Sequence, residues 1–397
     1  MDEESASGSS LRSLAAADFP PTEETDMVTD RIDQEVLSGE SWNLFCEQLR
    51  RSGEQILRAE APADVQTRAE GFRYLTRLLR IALEMHLEFA DPDFPGFITP
   101  SHETAKIGAD NPDNLYSYAR LNGAHEYRVS GQRGSVAYLS FGSQKGGYET
   151  DGKMIQTGFL DAGMLQSDAE GNFEIILSQH PPGIGNWLRL EPQSNALIVR
   201  QTFLDRSSEQ PAQLRIERLN ARHTPEPMDA PRLQQSLQRV GSFVENTARL
   251  FADWAQGYQK HTNQLPAADQ ALCQSVGGDP NIFYYHSYWA LADDEALLIE
   301  VDQVPDCDFW NVQINNYWME SLDYRYHRIC LNKQSAQLEA DGSLRMILCA
   351  VDPGLANWLE TASHPHGTLC LRWVGAKQPV QPTTRVVKLN DLQELVR

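Results

Sequence analysis

Asp323, Arg325 and His327 stand at alternate positions of the run DYRYHR. An acid, a permanent cation and a group that titrates near neutrality can together hold a polar or anionic substrate and move a proton. If the run is a strand, alternation puts all three on one face, with about 6.6 Å between successive members. In the expected division of labour Asp323 orients His327, His327 acts as general acid or base, and Arg325 holds an anionic or carbonyl group. The bland alternative is a cross-strand ladder of salt bridges on an exposed face. Nearby, Tyr317, Trp318 and Glu320 in NNYWMES are expected to line the pocket, with His364 closing it and Asn357 as a further substrate-binding candidate.

Other candidates are weaker. In WNVQINNYW, Trp310, Val312 and Ile314 alternate with Asn311, Gln313, Asn315 and Tyr317, so the amides form a face suited to a sugar, or simply a solvated strand face. His364 and His366 could contribute to a metal site, but no third ligand is evident, so no metal is assigned. Lys106, Asp110 and Asp113 in KIGADNPDNLY form a polar entry to the first sheet region, with Asx-turn capping as the default explanation. No nucleophile elbow, phosphate loop, HExxH or dinucleotide fingerprint is present. Catalysis without a cofactor, by acid, base and hydrogen-bond donors, is therefore expected.

These residues need a scaffold, and 397 residues suggest two or three domains of roughly 150 each. A formal charge of −21 disfavours nucleic acid and anionic lipid as partners. No apolar run approaches the roughly 20 residues needed to cross a bilayer, and the N-terminus lacks the charge and apolar stretch of a signal peptide. A cytoplasmic location is expected. The six cysteines show no CxxC spacing, which points to reduced, mostly buried thiols.

Residues 1–38 read as a disordered acidic tail. Trp42, Phe45, Cys46, Leu49, Ile56 and Leu57 then recur at helical spacing behind Ser41 as N-cap. A second helix carries Phe72, Leu75, Leu78, Leu79, Ala82 and His86 on one stripe, so residues 39–104 are expected to hold a helical hairpin. Period-two runs such as HEYRVS, SVAYLSF, FEIILS and ALIVRQTFL mark a sheet domain over 105–225. A helical connector spans 226–274, with Leu233, Leu237, Val240, Val244, Ala248, Phe251, Ala255 and Tyr258 on one face and Pro231 in the first turn. Short strands return over 275–397.

The two sheet regions repeat each other. With the shift of 171 that carries Asn186 to Asn357, Gly171 falls on Gly342, Pro182-Gly183 on Pro353-Gly354, and Asn186-Trp187-Leu188 on Asn357-Trp358-Leu359. One residue of slip later, Arg200 falls on Arg372. A unit this long exceeds the roughly 20 to 50 residues of solenoid repeats and implies a duplicated domain. The fold expected is mainly β with α-helical additions: two tandem jelly-roll-like sandwiches, a helical hairpin and a long helix between them. Residues kept in both copies lean toward scaffold, which includes Asn357, and residues in one copy alone are free for chemistry.

DFWNVQINNYWMES, DYRYHR, DGSLRMIL, DPGLANWLETASHPHGT and LRWVG together resemble the bacterial family called domain of unknown function 1214, most strongly from Asp308 to Gly375. The first copy and GFRYLTRLLRIALE also resemble the larger proteins that carry this domain. The resemblance implies tandem jelly-roll-like sandwiches and no settled activity. The upstream sheet departs from the usual companion, domain of unknown function 1254, because it looks like a second copy.

The function expected is a cytoplasmic, cofactor-independent enzyme acting on a small organic molecule. The rival is a non-catalytic module that binds a ligand, such as a carbohydrate, or assembles. In either case a homo-oligomer is expected, with no nucleic-acid or membrane partner.

Overall fold

Apolar residues at every second position build two sandwiches in the structure, a computed structural model that describes residues 23–220 and 224–392. The first contains β1 (Asn114–Arg120), β2 (Tyr127–Gln132), β3 (Tyr138–Gly146), β4 (Met154–Asp161), β5 (Asn172–Ser178), β6 (Asn186–Arg189), β7 (Ala196–Thr202) and β8 (Gln213–Arg218). The second contains β9 (Ile282–Ala290), β10 (Glu295–Val301), β11 (Phe309–Asn315), β12 (Cys330–Asn332), β13 (Leu344–Cys349), β14 (Trp358–Glu360), β15 (His366–Val374) and β16 (Thr383–Lys388).

The sheets of the first are ordered β1-β7-β3-β4 and β6-β5-β2-β8, and those of the second β9-β15-β11-β12 and β14-β13-β10-β16. The order is the same strand for strand. The chain crosses repeatedly between layers in a jelly-roll-like way, with one departure: β6 and β14 pair in parallel with β5 and β13. Inward residues such as Val129, Phe141, Ile175 and Val199 fill the first sandwich, and Ile299, Trp310, Leu348 and Trp373 fill the second. Removing each such side chain from water contributes about 1.5–3 kcal/mol.

The helices join the sandwiches. They are α1 (Glu23–Leu37), α2 (Glu40–Ile56), α3 (Val65–Leu83) followed by a five-residue π turn (Glu84–Glu88), α4 (Ala230–Tyr258) and the short α5 (Gln270–Ser275). Asp229 caps α4 by accepting from Arg232 N, and Pro231 occupies its first turn. The expected stripe Leu237, Val240, Val244, Ala248, Phe251 and Ala255 is buried. It shares one core with Phe45, Tyr74 and Leu78 of α2 and α3 and with Tyr118, Ile198, Tyr284 and Trp318 from the outer faces of both sandwiches.

Several expectations need correcting. The tail expected over 1–38 contains α1 over 23–37, which half-buries Ile32 and Val36 and meets α4, where Gln234 bonds Glu35; residues 1–22 lie outside the described residues. Ser41 is a buried residue inside α2, and Gly39, at φ 80, precedes the helix in its place. Trp42, Leu57 and Phe72 are exposed, because the helices present Phe45, Ile56, Tyr74 and Leu78 to the core. All six cysteines are free thiols, four of them buried. Among the described residues no helix is long and apolar enough to cross a membrane.

Candidate active site

The segment NNYWMES leaves β11 through a tight reversal. The Asn316 side-chain oxygen accepts from Trp318 N (3.0 Å) and Glu320 N (3.1 Å), and Met319 takes a left-handed φ of 57°. The chain then reaches DYRYHR, which is a turn and not a strand. The Asp323 carbonyl accepts from Tyr326 N (3.2 Å) and His327 N (3.1 Å), and its carboxylate accepts from Arg325 N (3.2 Å). These local bonds offer the backbone an alternative to a sheet ladder.

The turn changes who faces whom. Asp323 and His327 open on one cavity, while Arg325 folds back outside it, donating from Nε and Nη2 to the Asp323 carboxylate at 2.8 and 2.7 Å. That pairing holds the Asp323 carboxyl down to about 2. Asp323 therefore does not orient His327. Glu360 at the end of β14 does, with Oε1 2.8 Å from His327 Nδ1. A carboxylate can only accept, so Nδ1 carries the proton and Nε2 of the neutral ring keeps its lone pair.

Helix α3 covers the cavity with its polar side, bringing Glu70, Arg73 and Arg77. Arg77 Nη1 lies 2.6 Å from Oε1 of Glu320, which is 1% exposed, and Asn316 Nδ2 donates to the other oxygen at 2.9 Å. Burial raises the Glu320 carboxyl against the opposing pull of Arg77. Lys106 is buried as well, its ammonium donating to Ser321 Oγ and the Leu322 carbonyl at 2.9 Å each. Burial lowers its pKa, opposed by Asp110, whose carboxylate accepts from Ser321 N and Oγ.

His364 lines one side of the cavity. Its Nε2 lies 3.2 Å from Glu70 Oε2, and its Nδ1 lies 3.0 and 2.9 Å from the carbonyls of Thr361 and Ala362. Both nitrogens face acceptors, so the ring is satisfied only as an imidazolium. Burial alone would lower its pKa, but the hydrogen bond and charge of Glu70 prevail and raise it. Ala362 and Ser363 hold the loop at φ 47° and 63°, two successive side-chain-bearing residues in the left-handed region, at a cost of about 1–3 kcal/mol each.

The cavity so formed has a volume of about 170 Å3 and a wall dominated by charge, with Arg73, Arg77, Lys106 and His364 set against Glu70, Glu103 and Asp323, and the His327 ring beside them. Of the residues proposed from sequence, it gathers Asp323, His327 and His364. Glu320 stands behind the wall, holding Arg77 and Asn316. Tyr317 and Trp318 are packing groups that line no part of it: Trp318 is fully buried against α3 and donates from Nε1 to the Thr67 carbonyl at 2.8 Å.

Asn357 is scaffold. Its Nδ2 donates to the carbonyls of Gln337 (2.7 Å) and Arg345 (2.8 Å), and its Oδ1 accepts from Gln337 N (2.8 Å), so both its N–H donors are spent on the backbone, and it lines no part of the cavity. The amide row of β11 is neither solvated nor open to a sugar. Asn311, Gln313 and Asn315 are fully buried, bonding Asn111, the Asp110 carbonyl and Thr368. His366 turns away from His364 to stack on Tyr288 (5.9 Å) beside Asp64 (3.5 Å). Among the described residues no three His, Cys, Asp or Glu are grouped to hold a metal ion.

Glu360, Arg77 and Glu70 were not anticipated. A signal for Glu360 existed in the repeat: NWLE of the second copy stands where the first has NWLR, so the position differs between copies. No comparable signal marks Arg77 and Glu70, because helical periodicity does not say which sandwich a polar helix face will cover.

Residues 292–378 match the family model described as "Protein of unknown function (DUF1214)". The crystal structure of an uncharacterised protein from Burkholderia cenocepacia is 67% identical, with a TM-score of 0.89 over 90% of this chain and 99% of that one. A crystal structure of a Vibrio parahaemolyticus protein is 12% identical, with a TM-score of 0.48 over 80% of this chain and 98% of that one. No curated protein matches in sequence.

Proposed function

Because the chain belongs to the family of proteins of unknown function that carries the DUF1214 domain, we propose its function from the cavity itself: cofactor-independent proton transfer on a small polar or anionic metabolite. His327 is the general base or acid through Nε2, and Glu360 is the residue that positions it. Arg77, which spends one N–H on Glu320, holds an anionic or carbonyl group, while Lys106 and the His364 imidazolium, whose N–H donors are taken by protein acceptors, contribute positive charge that polarises it. One observation carries this reading: His327, held by Glu360 at 2.8 Å, opens on a cavity that is also lined by the buried Lys106 and the part-buried Arg77 and His364. At about 10–15 Å3 per water the cavity of about 170 Å3 has room for roughly 11–17 waters, or a small metabolite of about a dozen heavy atoms.

The experiment is proton exchange in D2O. The purified full chain is incubated with a panel of small oxo- and hydroxy-carboxylates, and loss of the carbon-bound proton is followed by NMR. Catalysed exchange that falls by about 10²-fold or more in His327→Ala supports the proposal. Exchange that proceeds equally fast in His327→Ala sinks it.

We further infer that the two sandwiches descend from one duplicated unit. The identical strand order and the matching roles of Asn186 and Asn357 support that descent. Free thiols on all six cysteines favour a reducing compartment, in keeping with a cytoplasmic enzyme.

A further inference from the structure

A second cavity, of about 180 Å3, lies between the sandwiches and takes no part in the site above. Equivalent strands of the two copies build it. Tyr116 on β1 pairs in register with Arg200 on β7, Tyr284 on β9 pairs in register with Arg372 on β15, and all four line the space. Phe243, Phe251 and Trp254 of α4 give it an apolar side.

The two arginines do equivalent things. Each donates from Nη2 to a carbonyl in the loop preceding the other sandwich's first strand, Arg200 to Gly277 and Arg372 to Ala109. Arg372 also donates to the amide oxygens of Gln313 (2.6 Å) and Asn311 (3.4 Å). All of these acceptors are neutral. Among the described residues no carboxylate lies within 4.0 Å of either guanidinium.

Two acids share the wall, and both are engaged elsewhere. Asp110 accepts from Ser321 N and Oγ, while Glu149 lies 3.7 Å from Arg120 and 4.0 Å from His86. The guanidinium of Arg372, 5% exposed, feels the charge of Asp110 in the same wall but has no carboxylate in direct contact among the described residues, and a charge so buried is costly without a paired counter-ion. Arg372 Cζ lies 6.0 Å from the centre of the Tyr284 ring, and both arginines line the one cavity.

His286 adds an independent sign of a ligand. It is 5% exposed, its ring stacks on Tyr258 at 5.3 Å and on Tyr284 at 5.9 Å, and its Nδ1 has no hydrogen-bond partner among the described residues. A polar atom left unpaired in a buried cavity wall fits a site that a ligand completes.

We propose that this cavity binds a small monocarboxylate with an apolar body. The carboxylate spans Arg200 and Arg372, for which guanidinium forks are suited, and the body lies against Phe243, Phe251 and Trp254. The site depends on both sandwiches at once, so ligand binding also ties them together.

Calorimetric titration of the full chain tests this with hexanoate and phenylacetate, against hexanamide and phenylacetamide as neutral isosteres and inorganic phosphate as a bare anion. The expected result is binding of the acids, with the amides and phosphate at least about tenfold weaker, the size of a lost charge-assisted hydrogen bond. Arg372 is integral to the interface, so half-buried Arg200 carries the mutational test. Arg200→Gln is expected to weaken the acids at least about tenfold, and His364→Gln, in the other cavity, to leave them unchanged. The proposal is overturned if neither acid binds at millimolar concentration, if the amides or phosphate bind as well as the acids, if Arg200→Gln has no effect, or if the loss follows His364→Gln.

Discussion

Asn186, the first residue of β6, and Asn357, the residue just before β14, make the same three hydrogen bonds at equivalent places in the two sandwiches. Asn186 bonds Gln166 N and O and the Glu174 carbonyl, and Asn357 bonds Gln337 N and O and the Arg345 carbonyl. The neighbouring indoles agree: Trp187 Nε1 donates to the Ser178 carbonyl and Trp358 Nε1 to the Cys349 carbonyl. Alanine at either asparagine strands three backbone groups at once, for a loss of at least about 2 kcal/mol in each case. Asn357→Ala is expected to cost about 1 kcal/mol more than Asn186→Ala, because Asn357 alone of the two sits at a positive φ, 58°. The sites lie in different sandwiches, so the double variant should be additive within about 0.5 kcal/mol; urea unfolding reads all three values.

The His364–Glu70 pair predicts a pH window of stability. The His364 pKa is raised on folding, so its contribution is complete below its unfolded value of 6.5 and is lost as pH rises through the folded one. Glu70 is lowered, burial being outweighed by His364, so its contribution is complete above 4.5 and is lost as pH falls through the folded value. The pair therefore helps most between pH 4.5 and 6.5. His364→Gln should lower Tm most inside that window and progressively less toward alkaline pH. A deficit that stays constant from acid to alkaline pH would mean the pair holds no charge.

Gly71 is where α3 meets the second sandwich. A Cβ there would stand 2.7 Å from the Trp318 ring and 2.6 Å from Ile56 Cγ2, both fully buried and unable to move aside. Gly71→Ala should destabilise by about 1–3 kcal/mol through overpacking. Gly53, inside α2, is the control: its Cβ would meet only Phe72, at 3.9 Å, so Gly53→Ala should stabilise by about 0.5–1 kcal/mol. Thermal melts of both variants check the contrast, and a Gly71→Ala protein as stable as the parent would show that the helix can slide.

The sandwiches were legible because burial on one face imposes period two, and because the repeat doubles every strand signal. Asp323, His327 and His364 were legible as candidates for the reason that made Asn357 legible as scaffold: they differ between copies where Asn357 does not. Their geometry was not. DYRYHR alternates like a strand, but Asp323 closes a turn with its carbonyl and its carboxylate, and nothing in alternation distinguishes the two outcomes. Alternation likewise assigned Asn311, Gln313 and Asn315 to a common outer face without saying that the loop at Asp110 and Asn111 would cover it. Arg200 and Arg372 were paired by the repeat, yet their shared cavity follows from how two sandwiches face each other, which no local pattern encodes.

The tautomer of His327 is a consequence of Glu360 that can be read without a substrate. With a carboxylate 2.8 Å from Nδ1, the neutral ring must carry its proton there and leave Nε2 free. Ring 15N shifts should therefore show a pyrrole-type Nδ1 and a pyridine-type Nε2 for the neutral ring of His327. Glu360→Gln replaces an obligate acceptor by a carboxamide that can also donate, so the opposite tautomer should gain population. Catalysed proton exchange should fall by about 10²-fold or more in the same variant, since the base would face the substrate with its lone pair turned away. Glu360 is partly exposed and caps no core, so Glu360→Gln should fold normally and separate positioning from stability. A wild-type ring already protonated at Nε2 would remove Glu360 from the mechanism.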